Sequence, residues 1–581
     1  MDKKVLLVAI NAKYIHSNLA VYSMKACAGQ HSDKVHISEY TINNSVSDIL
    51  DDIYMQKPEM IGFSCYIWNI EYVKKLMVEI HKLLPQCEIW LGGPEVSYNT
   101  DYYLDKFSFI TGIMVGEGED TFREVVDKHF SESCGCGVKN YSGIAGVCTY
   151  DRREPGIRKS VDMSQIPFVY KQLSEFNNRI IYYESSRGCP FSCSYCLSSI
   201  DKKLRFRDIE LVEQEIGFFL EHKVPQVKFV DRTFNCDRER STRIWKFIQS
   251  HDNGITNFHF EISADLITDE QINILNAMRP GLVQLEIGVQ TTNAETISAI
   301  RRRMDIDKLK TVVARLNDTG NIHLHLDLIA GLPFEDMESF KKSFNDVYEM
   351  KPDELQLGFL KVLNGSYMYE DAKKYGIVYK DFPPYEVLYT QWMSYEDILR
   401  FKNVEEVLEI YFGSGQFKQS VRYILKFYDS PYEFYDQLGA YYAARSRTGE
   451  KHSRLDRYTI LLEFVGQNES LCGKRGFRMD MLKQLMTYDV YVRENIKTRP
   501  QFATDITGYR EKIKELARAC NIERTQHIEP FTVGCMRFID GNAENVGERD
   551  DEDVCYVVFD YSHRSPVDYN AKIYIKYTLN K

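Results

Sequence analysis

The sequence predicts an α/β protein built of three units in series: a parallel α/β sheet, a partial barrel of six βα repeats, and a mainly helical region with a small β element. Three observations carry this. The 581 residues exceed what one core organises, at about 150 residues per domain. Apolar runs alternate with helical periodicity over residues 1–140 and again over 179–370, with a lapse between them. From 371 to 581 that alternation gives way to amphipathic stretches rich in Tyr and Phe, closed by two strand-like runs.

The first unit holds four apolar runs, KVLLVAINAK, EMIGFSCYIWN, EIWLGGPEVS and GIMVGEGEDTF, each ending in small or polar residues and followed by a helical pattern. Parallel sheets bind ligands in the crevice beyond the carboxyl ends of their strands. Ser64, Gly92, Gly93, Gly116, Glu117 and Gly118 stand at those ends and are expected to face it. Residues 141–178, rich in charge, Pro and Gly, read as a linker. Six further runs, from RIIYYESSRG to ELQLGFLKVLNG, alternate with helical stretches such as DIELVEQEIGFFLEHK. They predict a closed or partial TIM-type (β/α)6 barrel with its chemistry at the strands' carboxyl ends. In the last unit NVEEVLEIYF and YREKIKELARAC read as helices, and DVCYVVFDYSHRS and AKIYIKYTL as strands.

Composition excludes several classes. Apolar residues at 44% and charged ones at 27% place the chain among globular proteins. The apolar run in MDKKVLLVAINAK is short and lacks a cleavage site, so it reads as a buried strand and not as a signal peptide. No run of about eighteen apolar residues predicts a membrane helix. Fourteen cysteines without a secretion signal point to thiols held in a reducing cytoplasm. A net charge of −11 disfavours non-specific nucleic-acid binding. The local exception is the basic stretch 441–483, including Arg445, Arg447, Arg454, Lys474 and Arg478, which reads more simply as a solvated helical face.

The sharpest signal is ESSRGCPFSCSYCLSS, which spaces Cys189, Cys193 and Cys196 as C-x3-C-x2-C just after the first barrel run. Three thiolates on one loop suit zinc or an iron–sulfur cluster, whereas a disulfide would strand one of them. Structural zinc normally takes four protein ligands in two separated pairs, and no second pair stands at that spacing. A 4Fe-4S cluster on three cysteines leaves one iron open to a small molecule.

This spacing, with Tyr195 before the last cysteine, resembles the motif of the radical S-adenosylmethionine (SAM) superfamily. The resemblance implies that Cys189, Cys193 and Cys196 hold a 4Fe-4S cluster, whose open iron chelates SAM and whose electron cleaves it to a 5′-deoxyadenosyl radical. It places Tyr195 against the adenine, Asp231 of VDRTFN on the side of the SAM amino group, and Glu261, Ser263 and Gln290 near the ribose and carboxylate. The family's Gly-Gly-Glu is absent from VDRTFN. IAGLP, residues 329–333, resembles the turn that approaches the adenine, and equally a plain tight turn.

A parallel sheet ahead of such a barrel resembles the cobalamin-binding subclass, which carries a Rossmann-like (flavodoxin-like) domain. That implies cobalamin at Ser64, Gly92, Gly93, Gly116, Glu117 and Gly118, where glycines let backbone approach a large flat ligand. Cobalt-ligating relatives carry D-x-H-x-x-G; the corresponding loop here is Y-I-H-S-N-L, which keeps His16 without the Asp or Gly. His16 is therefore a candidate cobalamin contact lacking the usual partner for its ring. The last unit resembles a domain of unknown function that follows this core in related proteins, above all in FLKVLNGS.

Together the resemblances imply an anaerobic cytoplasmic enzyme, fed by an electron donor such as flavodoxin or ferredoxin, that C-methylates an unactivated carbon of an unidentified substrate. Cyclisation or ring rearrangement with cobalamin as redox partner, modification of a tRNA or peptide, and a cluster and cobalamin sensor are the alternatives. Among the other cysteines, Cys65, Cys87 and Cys148 read as core residues and Cys134 and Cys136 as loop, while Cys472, Cys520, Cys535 and Cys555 share no spacing. His527 with Glu529, and His563 with Arg564, read as structural or as polar substrate contacts.

Overall fold

The computed structural model describes residues 4–131, 139–445, 449–519, 525–541, 553–565 and 568–577; Cys134, Cys136, Arg447 and Cys520 lie outside them. Six strands form the first sheet: β1 (Val5–Asn11), β2 (Val35–Thr41), β3 (Met60–Ser64), β4 (Glu88–Gly92), β5 (Gly112–Met114) and β6 (Val147–Cys148). Their order is β2-β1-β3-β4-β5-β6, parallel except for β6. The first five follow the flavodoxin-like order, whose reversal between β1 and β3 opens a crevice at the strands' carboxyl ends.

β1 is buried throughout, and apolar up to Asn11, because helices cover both faces of the sheet. Leu6, Val8 and Ile10 pack with Ile49, Val73 and Leu76 on one side, and Val5, Leu7 and Ala9 with Val21, Phe122 and Val125 on the other. Cys65, Cys87 and Cys148 belong to the first of these layers. Two elements differ from the sequence reading. β2 is an edge strand whose residues after Val35 are only partly buried, so it lacks an apolar run. β6 lies within the stretch read as linker and extends the first sheet by antiparallel pairing with β5.

The second sheet begins with β7 (Ile181–Tyr183), after which β8 (Ser186–Arg187) and β9 (Arg205–Phe206) pair as a small antiparallel ribbon. It continues through β10 (Gln226–Phe229), β11 (Asn257–Ile262), β12 (Val283–Gln290), β13 (His323–Ala330) and β14 (Glu354–Phe359). The order β14-β13-β12-β11-β10-β7 is parallel throughout and unclosed, a partial barrel of six strands. The helices that return the chain start where a side chain caps them: Asp208, Asp237, Thr268, Asn293, Asp305 and Asp336 each accept a first-turn N–H.

Helices 395–408, 418–425, 431–444, 454–467 and 479–493 form most of the last region, with β17 (Gln526–Thr532), β18 (Val554–Arg564) and β19 (Ala571–Tyr577) as an antiparallel sheet. A minor ribbon, β15 (Val378–Tyr379) with β16 (Val387–Tyr389), precedes them. Aromatic pairs join this region to the barrel helix 337–349: Phe340 lies 4.4 Å from Phe401, and Phe344 5.5 Å from Tyr432, between ring centroids. Cys535 and Cys555 are buried there, whereas Cys472 is exposed. No helix among the described residues is long and apolar enough to cross a membrane.

Candidate active site

A cavity of about 830 Å³ opens between the carboxyl ends of the first sheet and the mouth of the barrel. That is at the large end of ligand pockets in general. Ser64, Gly92, Gly93, Gly116, Glu117 and Gly118 all line it, as does His16. Tyr182, Glu184, Arg187, Leu197, Val230 and Arg232 line the opposite wall.

The glycines differ in what they do. Gly93 has φ +116, and a Cβ there would stand 2.5 Å from the Cys65 carbonyl oxygen, so backbone packs on backbone at the cavity wall. Gly93→Ala is expected to destabilise the protein by about 1–3 kcal/mol, read as a lowered denaturant midpoint. Gly116 has φ +80 with open space around it, so conformation alone requires it. A Cβ on Gly118 would meet Met24 Sδ at 2.9 Å. Ser64 Oγ accepts from Asn18 Nδ2 at 3.3 Å.

His16 Nδ1 lies 2.6 Å from the Tyr182 hydroxyl, so the partner absent from its own loop comes from β7 of the barrel. Burial, then Lys13 and Lys228, depress its pKa and keep the ring neutral. Glu117 accepts from Arg205 and, at 2.8 Å, from the backbone N–H of Val161. Arg187 reaches from the barrel to Glu119, which is 3% exposed, and holds Glu184 at 2.9 Å and Glu117 at 3.6 Å. Two acids of the first unit are thus tied to two arginines of the second.

The cysteine loop follows β7 and the short β8. Gly188 must precede it: its φ is +88, and a Cβ would stand 2.6 Å from the Lys203 carbonyl oxygen. The Cys189 N–H then donates to Asp201 O at 3.0 Å and the Ser194 N–H to Ile300 O at 2.8 Å, which pins both ends of the triplet. Cys189 and Cys193 are buried and Cys196 is half-buried. Thr233 Oγ1 lies 3.6 Å from Cys189 Sγ. Arg302, absent from the sequence reading, donates to Cys193 Sγ at 3.7 Å, to Tyr195 Oη at 3.1 Å and to Gly288 O. Burial raises the Cys193 thiol's pKa, and the fixed Arg302 cation works against that rise, toward the thiolate that a metal needs. Its only signal in the sequence is one Arg in a run of three.

The strand-end residues divide sharply. Asp231 turns inward: its carboxylate accepts from the Ser185 N–H at 2.9 Å, Ser185 Oγ at 2.7 Å and Ser186 Oγ, anchoring the loop before the triplet. Burial nevertheless pushes its pKa up to about 6. Ser263 is likewise engaged, its N–H on Asn235 Oδ1 at 2.9 Å and its hydroxyl on Asp265 at 2.6 Å. Glu261 is pushed up to about 7 by burial, against the pull of Arg232. Gln290 ends β12 with φ +73 beside a register shift, and its Oε1 is buried with no partner among the described residues. A positive φ and an unpaired buried acceptor together set Gln290 apart from the other strand ends.

Behind Gln290, Glu335 is fully buried and accepts from Thr291 at 2.6 Å and Ser343 at 3.1 Å. Burial pushes its pKa up to about 8. A raised carboxyl pKa gives stability that is complete below its unfolded value and lost as pH rises through the folded one. Unfolding free energy is therefore expected to fall between about pH 5 and 8, by up to roughly 1.4 kcal/mol per unit, and Glu335→Gln to flatten that slope in denaturant titrations.

In the last region His527 Nε2 lies 3.0 Å from Glu529, which also accepts from Arg499, and His563 lies 3.2 Å from Asp560. Arg454 pairs with Glu494, Arg478 with Asp480, and Arg445 stacks on Tyr441, so much of the basic stretch is already partnered.

Three family models match in series: B12 binding domain over residues 5–126, Radical SAM superfamily over 183–347, and a protein of unknown function, DUF4080, over 373–533. The protein carries a B12-binding, a radical SAM and a DUF4080 domain. TokK of Streptomyces tokunonensis, a cobalamin-dependent radical SAM methyltransferase, is 23% identical over 52% of this chain and 46% of its own. The 2-(S-pantetheinyl)-carbapenam-3-carboxylate methyltransferase of Streptantibioticus cattleyicolor is 25% identical over 50% and 45%. The chain thus spans about half the length of these relatives. Among solved structures, the cobalamin-dependent SAM radical enzyme OxsB superposes with a TM-score of 0.56 at 12% identity, covering 90% of this chain and 82% of that one. TsrM of Kitasatospora setae, solved with cobalamin and a [4Fe-4S] cluster, gives 0.54 at 15% identity, covering 66% and 78%. These likenesses establish a shared fold.

Proposed function

We propose that this chain is a cobalamin-dependent radical SAM enzyme that C-methylates an unactivated carbon of a small substrate. The observation that carries the proposal is the shared cavity: its walls are the glycine-marked strand ends of the B12-binding domain and the mouth of the barrel, beside the cysteine loop. When bound, a 4Fe-4S cluster with SAM supplies hydrogen abstraction, and cobalamin supplies a transferable methyl group.

The residues fit those groups. Cys189, Cys193 and Cys196 offer three thiols on a loop pinned at both ends, with Arg302 balancing their charge. Tyr195 is fixed by Arg302 beside them. Gln290, with its orphan oxygen, and Glu261 are the strand-end groups we assign to SAM, whereas Asp231 and Ser263 support the loops behind it. Ser64, Gly92, Gly93, Gly116, Glu117 and Gly118 form the opposite wall, against which a flat macrocycle would lie. Among the described residues His16 is the one imidazole in the lining, with its ring set by Tyr182. Apolar neighbours such as Leu7, Val21, Trp90 and Phe122 keep water from the reacting atoms. We place the functional units at 1–140, 179–370 and 371–581, and infer a cytoplasmic setting with a protein electron donor.

Both curated relatives above are methyltransferases by name, which favours methylation over ring formation. Anaerobic reconstitution with iron, sulfide, cobalamin, SAM and reductant should yield 5′-deoxyadenosine together with S-adenosylhomocysteine. 5′-Deoxyadenosine alone would indicate the redox reading, and neither product from a protein with an intact cluster would refute the enzyme.

A further inference from the structure

The chain leaves β14 through FLKVLNGS, residues 359–366, and then enters the DUF4080 domain. On the way it turns back on itself: the Val387 N–H donates to Leu360 O at 2.9 Å, and the Val362 N–H to Tyr385 O at 3.0 Å. The loop closed by these bonds touches both walls of the shared cavity.

On the B12-binding side it makes two contacts. Gly365 has φ +85, and a Cβ there would run into the ring of Tyr98, so that ring lies directly on the glycine backbone. Tyr98 lines the cavity and is 44% exposed. Further along, the Tyr385 hydroxyl donates to Glu95, which is 6% exposed and otherwise accepts, among the described side chains, only from the Tyr103 hydroxyl at 3.4 Å. Tyr385 itself holds φ +57, which a bulky residue keeps only where its surroundings impose it. Glu95 belongs to the short helix 94–97 and Tyr98 follows it; Pro94 and Ser97 of that helix also line the cavity.

Between those contacts the same loop reaches the cysteine triplet. The Met368 N–H donates to the carbonyl of Ser194, the residue between Cys193 and Tyr195, at 2.7 Å. Asp371 pairs with Arg301 at 2.9 Å, and the Arg301 guanidinium lies 4.6 Å from the centroid of Tyr367. Arg301 is the neighbour of Arg302, which contacts Cys193.

We propose that residues 365–385 are a positioning strap, through which Gly365, Met368 and Tyr385 fix the corrinoid wall of the cavity relative to the cysteine loop. The inference rests on the two-cofactor reading above. Group transfer between bound partners is steeply sensitive to placement, a displacement of about 1 Å costing about a hundredfold. Here the two walls belong to different sheets with separate cores. Arg187 joins them directly, and the strap adds a third segment bound to both.

The test uses full-length protein loaded with cluster and cobalamin, with the cluster reduced and the cobalt in its divalent state, so that both carry an unpaired spin. Dipolar electron paramagnetic resonance then reads their separation without substrate or turnover. The parent should give one narrow distance distribution. Tyr385→Phe removes a single hydroxyl, and Gly365→Ala puts a methyl group where the Tyr98 ring lies. Both should keep the parent's iron and corrinoid content, broaden the distribution, and lower S-adenosylhomocysteine relative to 5′-deoxyadenosine by about tenfold or more. Thermal unfolding verifies that the variants are folded. An unchanged distribution in both variants overturns the strap, and so does loss of either cofactor from a folded variant, which would assign these residues to a binding site instead. If the parent forms neither product the enzyme reading fails, while the distance measurement still decides the strap.

Discussion

Cys193→Ala protein, purified and reconstituted anaerobically, is expected to lose its cluster iron and to form 5′-deoxyadenosine at less than about a thousandth of the parent rate, while cobalamin binding persists. Cys193 sits at the middle of the triplet, and its sulfur is the one that Arg302 contacts. Two thiols and a buried guanidinium cannot hold a cubane cluster. The cavity wall made by Ser64, Gly92, Gly93 and Gly116 lies at the strand ends of another sheet, far away in the chain, and is not touched by the change. Iron content, the visible spectrum of bound corrinoid and product chromatography on one preparation check all three parts. Loss of both cofactors together would contradict the separation of their sites. Cys193→Ser makes a useful companion, because it keeps the volume and supplies only a poor ligand.

Arg187→Ala should be the most damaging substitution outside the thiols. Its guanidinium bridges Glu119 and Glu117 of the B12-binding domain and Glu184 of the barrel. Glu119 is 3% exposed, so removing its partner leaves a buried carboxylate unpaired, which costs about 3–5 kcal/mol. The loss falls on the joint between the two domains, because Arg187 stands two residues before Cys189. We expect a lowered unfolding midpoint together with weaker corrinoid retention on gel filtration. Arg187→Lys keeps the charge without the fork and should recover part of each. An unchanged midpoint would mean that the domains are held by other contacts.

These two residues also show what the sequence made legible. The triplet could be read because its chemistry lies within eight residues, and the glycines because they recur at strand ends. Arg187 and Arg302 stand in plain view, yet their partners lie 68 and 109 positions away, and no local pattern announces such pairs. Asp231 shows the reverse: a carboxylate at a strand's end invites a ligand, but Ser185 and Ser186, just after the neighbouring strand β7, claim both of its oxygens. The polar face within the barrel escaped for a related reason. Glu286 on β12 and His323, His325 and Asp327 on β13 look alone like ordinary alternation, and only parallel register sets Glu286 beside His325. β2 was missed because an edge strand needs no continuous apolar run.

The cavity has a further consequence for how the protein comes into being. One wall is contributed by residues between Leu7 and Phe122, the other by residues between Tyr182 and Arg232. During synthesis the amino-terminal domain emerges and folds first. At that stage the nascent chain offers an open bowl, accessible from above to a bulky ligand. Once Arg187 has left the ribosome and reached Glu119, the bowl acquires its cover. Loading during translation and loading after it are therefore different events, the second requiring the ion pairs at the joint to part. Cells short of corrinoid while the chain is being made would accumulate a closed form that fills slowly afterwards.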